Sequence, residues 1–327
     1  MIITKTPFRV SFFGGGTDIR GYYKKSFGCV LSTTIDKFIY VVVKKQIGVW
    51  EHKYRINWSQ VEFRNSIDEI EHPIIREALR YFKIDFPIEV STFSDIPSDT
   101  GLASSSAFAV GLVSALMKIT QKRNSKAEIA KIAARIEVDI LKRKIGKQDH
   151  YSCAYGGLNL IKFYPNEKVV VKKISISEKI LNKMSNNFFL FYTNKKRNAS
   201  KVLKNQFKPN KKQIKLLDKL KKMVFLGKLY LRNESTLSKF AELLNVSWSL
   251  KKKINSNSTN QIISNFYNRS IKLGSRGGKI LGAGKGGFLI LYYDKNNKNL
   301  FINKMKPFKN MKFKFIKYGT KIIKLID

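Results

Sequence analysis

Pro97-Ser98-Asp99-Thr100-Gly101-Leu102-Ala103-Ser104-Ser105-Ser106-Ala107 leads from a loop of small residues directly into the apolar stretch Ala107 to Leu116. That composition predicts a loop opening a helix. A helix start presents unpaired backbone N–H groups and the positive end of the macrodipole. Small side chains let phosphate oxygens reach those groups, and serine hydroxyls can donate to phosphate or ligate Mg²⁺. A plain N-cap is the simpler account, but one serine suffices for a cap. Three serines behind Gly101-Leu102-Ala103 exceed that need.

Two further glycine-rich segments flank this one. Gly282-Ala283-Gly284-Lys285-Gly286-Gly287 contains GxGxxG, yet a strand-like run, Phe288 to Tyr293, follows it. A dinucleotide fingerprint needs a strand before and a helix after, so that reading fails. No GxxxxGK[ST] occurs, and neither HRD nor DFG, which removes P-loop enzymes and protein kinases. Gly14-Gly15-Gly16-Thr17-Asp18 is either a turn or, through Thr17 and Asp18, a set of partners for a sugar's hydroxyls.

The rest of the chain reads as α+β in two halves. Strands dominate residues 1–45, and helices are expected at Lys126 to Arg143 and near 211–226, 236–252 and 259–273. In the first of these, Ile129, Ile132, Ala133, Ile136 and Ile140 share one face. Gly146 to Asp149 is expected as a loop, and Lys312 to Tyr318 as a half-exposed strand. The joint falls in about 165–185, beside Tyr164-Pro165-Asn166. With 327 residues, roughly 150 per domain gives about two domains.

Lys and Arg number 63 against 23 Asp and Glu, a net charge of +40. Such an excess suits a polyanion surface, or a compositional drift in which Lys fills any solvated position. Lys and Arg decorate every element rather than one module, which favours drift. Cys29 and Cys153 form no zinc or disulfide pattern, so a reducing, cytoplasmic setting is expected. The three histidines lack ligand spacing. Neither a signal-peptide stretch nor a run of about 20 apolar residues is present, so no membrane partner is expected.

Taken together and in order, the three glycine segments resemble the GHMP kinases. The residues that carry this are Pro7 to Asp18, Ser94 to Pro97 with Gly101 to Ala107, Gly146 to Tyr151 with Gly156 to Asn159, Phe191 to Thr193 with Arg197 and Ala199, and Gly277 to Gly284. Within the superfamily the likeness is to its heptose 7-phosphate kinases. The resemblance implies an α+β fold of two lobes with the active site between them. The N-terminal lobe (1–170) would resemble ribosomal S5 domain 2, and the C-terminal lobe (180–327) would be ferredoxin-like. It further implies ATP and Mg²⁺ as cofactors and a sugar phosphate as acceptor. No specific nucleic acid is implied, and a homodimer is left open.

Residue by residue, the resemblance makes Asp149 the catalytic base and Arg9 the basic partner that steadies the transferring phosphoryl group. The plain alternatives are a turn aspartate and a strand-end arginine. Pro97, Gly101, Leu102, Ala103, Ser104, Ser105 and Ser106 would form the ATP phosphate loop. Ser105 and Glu137 would hold Mg²⁺, with Asp139 as the rival carboxylate and the choice among the serines open by one position. Gly16, Thr17, Asp18, Gly156, Gly157 and Gly284 would face the substrate. Arg197 would hold a substrate phosphate bidentately, although Lys195 and Lys196 make it equally a member of a basic run; Lys251 is a further candidate. The chain departs from the family pattern at Lys285, where relatives usually have Gly, at Asn245, and at Ile19-Arg20-Gly21. The competing readings are a nucleic-acid-binding protein on the same fold, another sugar kinase of the superfamily, and a catalytically degenerate regulator.

Overall fold

The computed structural model describes residues 1–49, 51–123, 125–195 and 208–325. β1 (Ile2–Phe13) is buried along its whole second half, and β2 (Gly28–Lys45) is the long strand that organises the first sheet. β2 pairs antiparallel with β1 throughout. Its end also pairs with β5 (Ile88–Ser94) and its start with β6 (Asn159–Phe163). β3 (Tyr54–Asn57) and β4 (Val61–Arg64) form a hairpin that extends the sheet beyond β5, and β7 (Val169–Lys173) extends it beyond β6. The second sheet is smaller. β8 (Phe188–Tyr192), β9 (Gly277–Ile280), β10 (Phe288–Tyr292) and β11 (Lys309–Met311) run in the order β11-β8-β10-β9.

The expected division of the chain at 180–327 differs from the strand pairing at its far end. β12 (Phe315–Ile316) pairs with β2, and β13 (Lys321–Leu325) pairs with β1, so both belong to the first sheet. The run expected as one strand, Lys312 to Tyr318, is broken accordingly. Its alternation is real: Phe313 and Phe315 are buried while Lys312 and Lys314 are exposed.

Between the strands lie α1 (Arg20–Tyr23), α2 (Pro73–Phe82), α3 (Ser104–Ile119), α4 (Lys126–Ala134), α5 (Gln148–Tyr155) and α6 (Glu178–Asn187). α7 (Lys211–Tyr230), α8 (Leu237–Ile254), α9 (Gln261–Lys272) and α10 (Lys298–Lys304) complete the set. The three helices expected in the second half are present, within a few residues at each end. α3 is apolar on all sides and is buried between β1 and its neighbouring helices. It lies so close that a Cβ at Gly111 would stand 2.9 Å from Thr6 Oγ1.

The expected helix over Lys126 to Arg143 holds only to Ala134. Arg135–Ile140 winds as a π-helical turn, with Leu141 N–H donating to the Ile136 carbonyl five residues back. Widening the turn rotates the residues beyond it, so Ile129, Ile132, Ala133 and Ile136 stay buried while Ile140 emerges, 38% exposed. Residues Gln148 to Asp149, expected in a loop, form the first turn of α5.

Phe12 is where the two sheets meet. Its ring lies 5.8 Å from Phe188 on β8, 5.1 Å from Phe240 on α8 and 5.8 Å from Phe315 on β12. One apolar core therefore runs through both halves. Phe12→Ala should lower unfolding stability by about 3–5 kcal/mol, read as a reduced urea midpoint of a single transition. Two separated transitions in the wild-type protein would show that this core does not join the halves.

Candidate active site

The strand β1 carries Arg9 into a cleft between the halves. Its Nε and Nη2 donate to Asp149 Oδ1 (2.7 Å) and Oδ2 (2.8 Å), a bidentate pair, while Nη1 donates to the Gly101 carbonyl (2.8 Å). Arg9 N–H also donates to the Leu102 carbonyl (3.1 Å). Arg9 is 3% exposed, whereas the Asp149 side chain retains 24% toward the cleft. A carboxylate has about four acceptor positions, so two N–H donors leave Asp149 able to accept another proton donor. The pair thus ties the loop before α3 to the start of α5.

The loop winds through three left-handed residues, Asp99 (φ 62°), Gly101 (φ 87°) and Ala103 (φ 73°). α3 then begins with no side-chain cap. None of the three serines is spent as an N-cap, the plain explanation weighed from the sequence. Ser104 Oγ accepts from Asp99 N–H (3.2 Å), while Ser105 and Ser106 turn to Glu137. The loop is propped from the second half by Gly287, where a Cβ would meet the Thr100 carbonyl at 2.0 Å, and Phe288 N–H donates to that same oxygen (3.0 Å).

Glu137 is fully buried at the π-helical turn. Its Oε1 accepts from Ser105 Oγ and from Arg143 Nη1 (2.7 Å); its Oε2 takes Ser106 Oγ (3.0 Å) and His150 Nε2 (2.8 Å). Burial alone would push its carboxyl up. The hydrogen bond and charge from His150, with Arg143 and Ser105, outweigh burial and hold it down at about 2. Asp139, the rival, instead pairs with Arg20 at the surface (2.9 Å). An ionised carboxylate beside a serine hydroxyl is an oxygen donor set that fits Mg²⁺, which keeps several waters and needs few protein ligands. Among the described residues no group of three His, Cys, Asp or Glu could hold a metal ion.

Asp18 completes this floor. It accepts from Gly16 N–H (2.9 Å) and Gln148 N–H (3.1 Å), with Gln148 Nε2 at 3.3 Å. Burial and then the charge of Asp149 push its carboxyl up, against the pull of those backbone N–H groups. The approach is close: a Cβ at Gly146 would stand 1.8 Å from Asp18 Oδ2.

Known proteins can be compared with this geometry. The family model "GHMP kinases N terminal domain" matches residues 73–157, which hold the loop, Glu137 and Asp149. The D-glycero-alpha-D-manno-heptose 7-phosphate kinase of Campylobacter jejuni is 30% identical over 98% of both chains. The chain belongs to the GHMP kinases. A solved D-glycero-D-manno-heptose 1-phosphate kinase from Bacteriodes thetaiotaomicron shares the fold, with a TM-score of 0.82 and 22% identity over the whole of both chains. A galactokinase of Thermotoga petrophila is 25% identical over 46% of this chain and 43% of its own. The chain is accordingly a sugar kinase, and its family implies ATP as phosphate donor.

Among the residues expected at the site of this GHMP kinase, the cleft brings together Arg9, Gly16, Asp18, Gly101, Ala103, Ser104, Ser105, Ser106, Glu137 and Asp149. Others do not line it. Thr17 is fully buried; its hydroxyl donates to the Gly14 carbonyl (2.7 Å), lies 3.0 Å from the Cys29 carbonyl and accepts from Cys29 N–H (3.0 Å). That threonine fastens the turn instead of facing the cleft. Gly156 lies against the chain's last segment, where a Cβ would meet the Tyr318 and Gly319 backbone at 1.9 Å, and Gly157 lies beside Lys317. Leu102 is core, Pro97 is exposed outside the cleft, and Gly284 is packed on Ser258. Arg197 lies outside the described residues.

The departures have local roles. Lys285 holds a left-handed φ of 66° with its side chain exposed, so it does not crowd the loop. Asn245 Oδ1 accepts from Tyr267 OH (2.7 Å), and Ile19 lines the cleft.

Ser11, Arg143 and Lys279 are cleft residues that sequence reasoning did not single out. Ser11 Oγ donates to Gln148 Oε1 (2.7 Å), which positions the amide against Asp18. Arg143 was hidden in a basic run. Lys279, inside β9, was the detectable one, since a lysine between Gly278 and Ile280 in a buried strand needs a reason. Its Nζ donates to the Phe12 carbonyl (2.7 Å), and burial, with the charge of Arg9, pulls it from 10.5 to about 7. Below pH 7 the folded protein must charge a buried amine. Between 7 and 10.5 the unfolded chain holds a proton the folded one lacks, so this cost fades as pH rises. Lys279→Met should therefore raise the melting temperature most near pH 6 and least near pH 10. A gain independent of pH would refute that account.

Proposed function

We propose that this kinase transfers the γ-phosphate of ATP to the anomeric 1-hydroxyl of D-glycero-D-manno-heptose 7-phosphate, giving the 1,7-bisphosphate for nucleotide-activated heptose. The observation that carries the reading is the bidentate Arg9–Asp149 pair facing an uncapped helix start across one cleft. The acceptor is chosen on the likeness to the Campylobacter jejuni heptose 7-phosphate kinase over nearly the whole chain.

Phosphoryl transfer asks for position and charge more than for covalent help. The γ- and β-phosphates lie against the free N–H groups at the start of α3, with Ser104 donating beside them. Asp149 accepts the proton of the 1-hydroxyl as its oxygen bonds to phosphorus and ADP leaves. Arg9 fixes the carboxylate's orientation and lends positive charge where the phosphoryl group passes. Gly16 and Asp18, held by Gln148, receive the sugar hydroxyls. Arg197 binds the 7-phosphate of the acceptor, a role that rests on the family resemblance. Ser105 and Glu137 would hold Mg²⁺, which when bound supplies countercharge to the β- and γ-phosphates.

Asp149→Asn should cut turnover by roughly 10²–10⁴-fold while the variant still folds and binds an ATP analogue. Near-normal turnover in that variant would remove Asp149 as the base. Arg197→Ala should raise KM for the sugar phosphate with little change in kcat. ADP release across heptose 7-phosphate, galactose, fucose and mevalonate tests the acceptor; faster turnover of another sugar would replace the heptose.

A further inference from the structure

Arg143 has no part in the roles above. Its backbone N–H donates to the Glu137 carbonyl (3.0 Å), so the turn that carries Glu137 also places Arg143. Its Nη1 stands 2.7 Å from Ser105 Oγ and 2.7 Å from Glu137 Oε1. Those are the two oxygens assigned above to a divalent ion. The other carboxylate oxygen is taken by Ser106 and His150, so Oε1 is the one at stake. Glu137 is completely buried, while the Arg143 side chain is 30% exposed and lines the cleft. The carboxylate is therefore the fixed member, and the guanidinium, on its long stem, is the member that can leave.

We propose that Arg143 holds the cation position between Ser105 and Glu137 in the ligand-free protein, so that a divalent ion enters only when Arg143 withdraws. This rests on the reading of Ser105 and Glu137 as the metal ligands. A buried carboxylate needs partners on both oxygens, and before any ligand arrives the guanidinium answers Oε1 as His150 answers Oε2. Two cations cannot share one carboxylate oxygen at this range without strong repulsion. Mg²⁺ sheds water reluctantly, so a bare ion gains little by evicting the arginine. A nucleotide alters the balance twice. Its phosphates accept the departing guanidinium in a bidentate contact, and they contribute oxygens to the ion. Metal entry is thereby tied to nucleotide entry, and Glu137 is never left unpaired.

The test uses Mn²⁺ as probe, followed by electron paramagnetic resonance, on the full chain without nucleotide. Arg143→Gln, which removes the charge, should bind Mn²⁺ roughly tenfold or more tightly than wild type. Arg143→Lys, which keeps the charge, should bind as weakly as wild type. Equal affinity in wild type and Arg143→Gln overturns the proposal, and so does an equal gain in both variants, which would point to lost packing. With a non-hydrolysable ATP analogue present, Mn²⁺ binding should be lost in Glu137→Gln. If it persists there, the metal reading itself fails, a result separate from failure of the Arg143 exchange. A measurement on the wild-type protein avoids any folding defect. The ¹⁵N guanidinium signal of Arg143, assigned by its absence from Arg143→Lys, should shift on adding the analogue with Mg²⁺. An unshifted signal overturns the proposal.

Discussion

A carboxylate with no exposed surface must gather donors or give up its charge. Glu137 gathers four, from the first turn of α3, from the segment after the π-helical turn and from α5. The first turn of α3 is far from the other two in the chain, Ser105 lying 38 residues before Arg143. Their common partner is this one side chain, and the loop before α3 and Asp149 on α5 take their relative positions from it. The Arg9–Asp149 pair then fixes the same two elements from the side of β1. The second link leaves the Asp149 side chain partly exposed to the cleft, which is why a rigid framework and an open site coexist.

The π-helical turn shows why part of this was legible and part was not. The stripe Ile129, Ile132, Ala133 and Ile136 follows helical periodicity, and so its burial could be read directly. One residue extra in a turn cannot be read from periodicity, because Ile140 is as apolar as its neighbours; only the exposed outcome distinguishes it. The likeness to the GHMP kinases, whose markers are glycine-rich segments, placed Arg9, Ser105, Glu137 and Asp149 among the candidates, and all four line the cleft. Thr17 and Gly156 sit in equally marked segments, but their glycines serve tight backbone packing, and composition looks the same for both purposes. The hairpin β3–β4 and the return of β12 and β13 depend on partners far along the chain, which local pattern does not encode.

The charge of the chain also takes a different meaning at the site. Most lysines among the described residues lie at the surface. Inside the cleft the balance is specific: Arg9 answers Asp149, Arg143 answers Glu137, and Lys279 stands against a backbone carbonyl. Anionic substrates approach such a surface faster, an effect that salt weakens. Geometry comes from the two cations that burial holds in place, Arg9 and Lys279.

The pairing of β13 with the outer edge of β1 has a consequence for how the protein is made. A ribosome delivers β1 long before β13. Throughout synthesis, therefore, the strand that bears Arg9 has one edge with open N–H and C=O groups, a template for wrong partners. Completing the edge requires a contact across more than 300 residues, between Ile2 and Leu325, the kind of late, long-range closure that slows folding. A chain cut short by proteolysis or early termination would keep every described residue of the cleft and still lack the strand that pairs with Ile2 to Lys5 of β1.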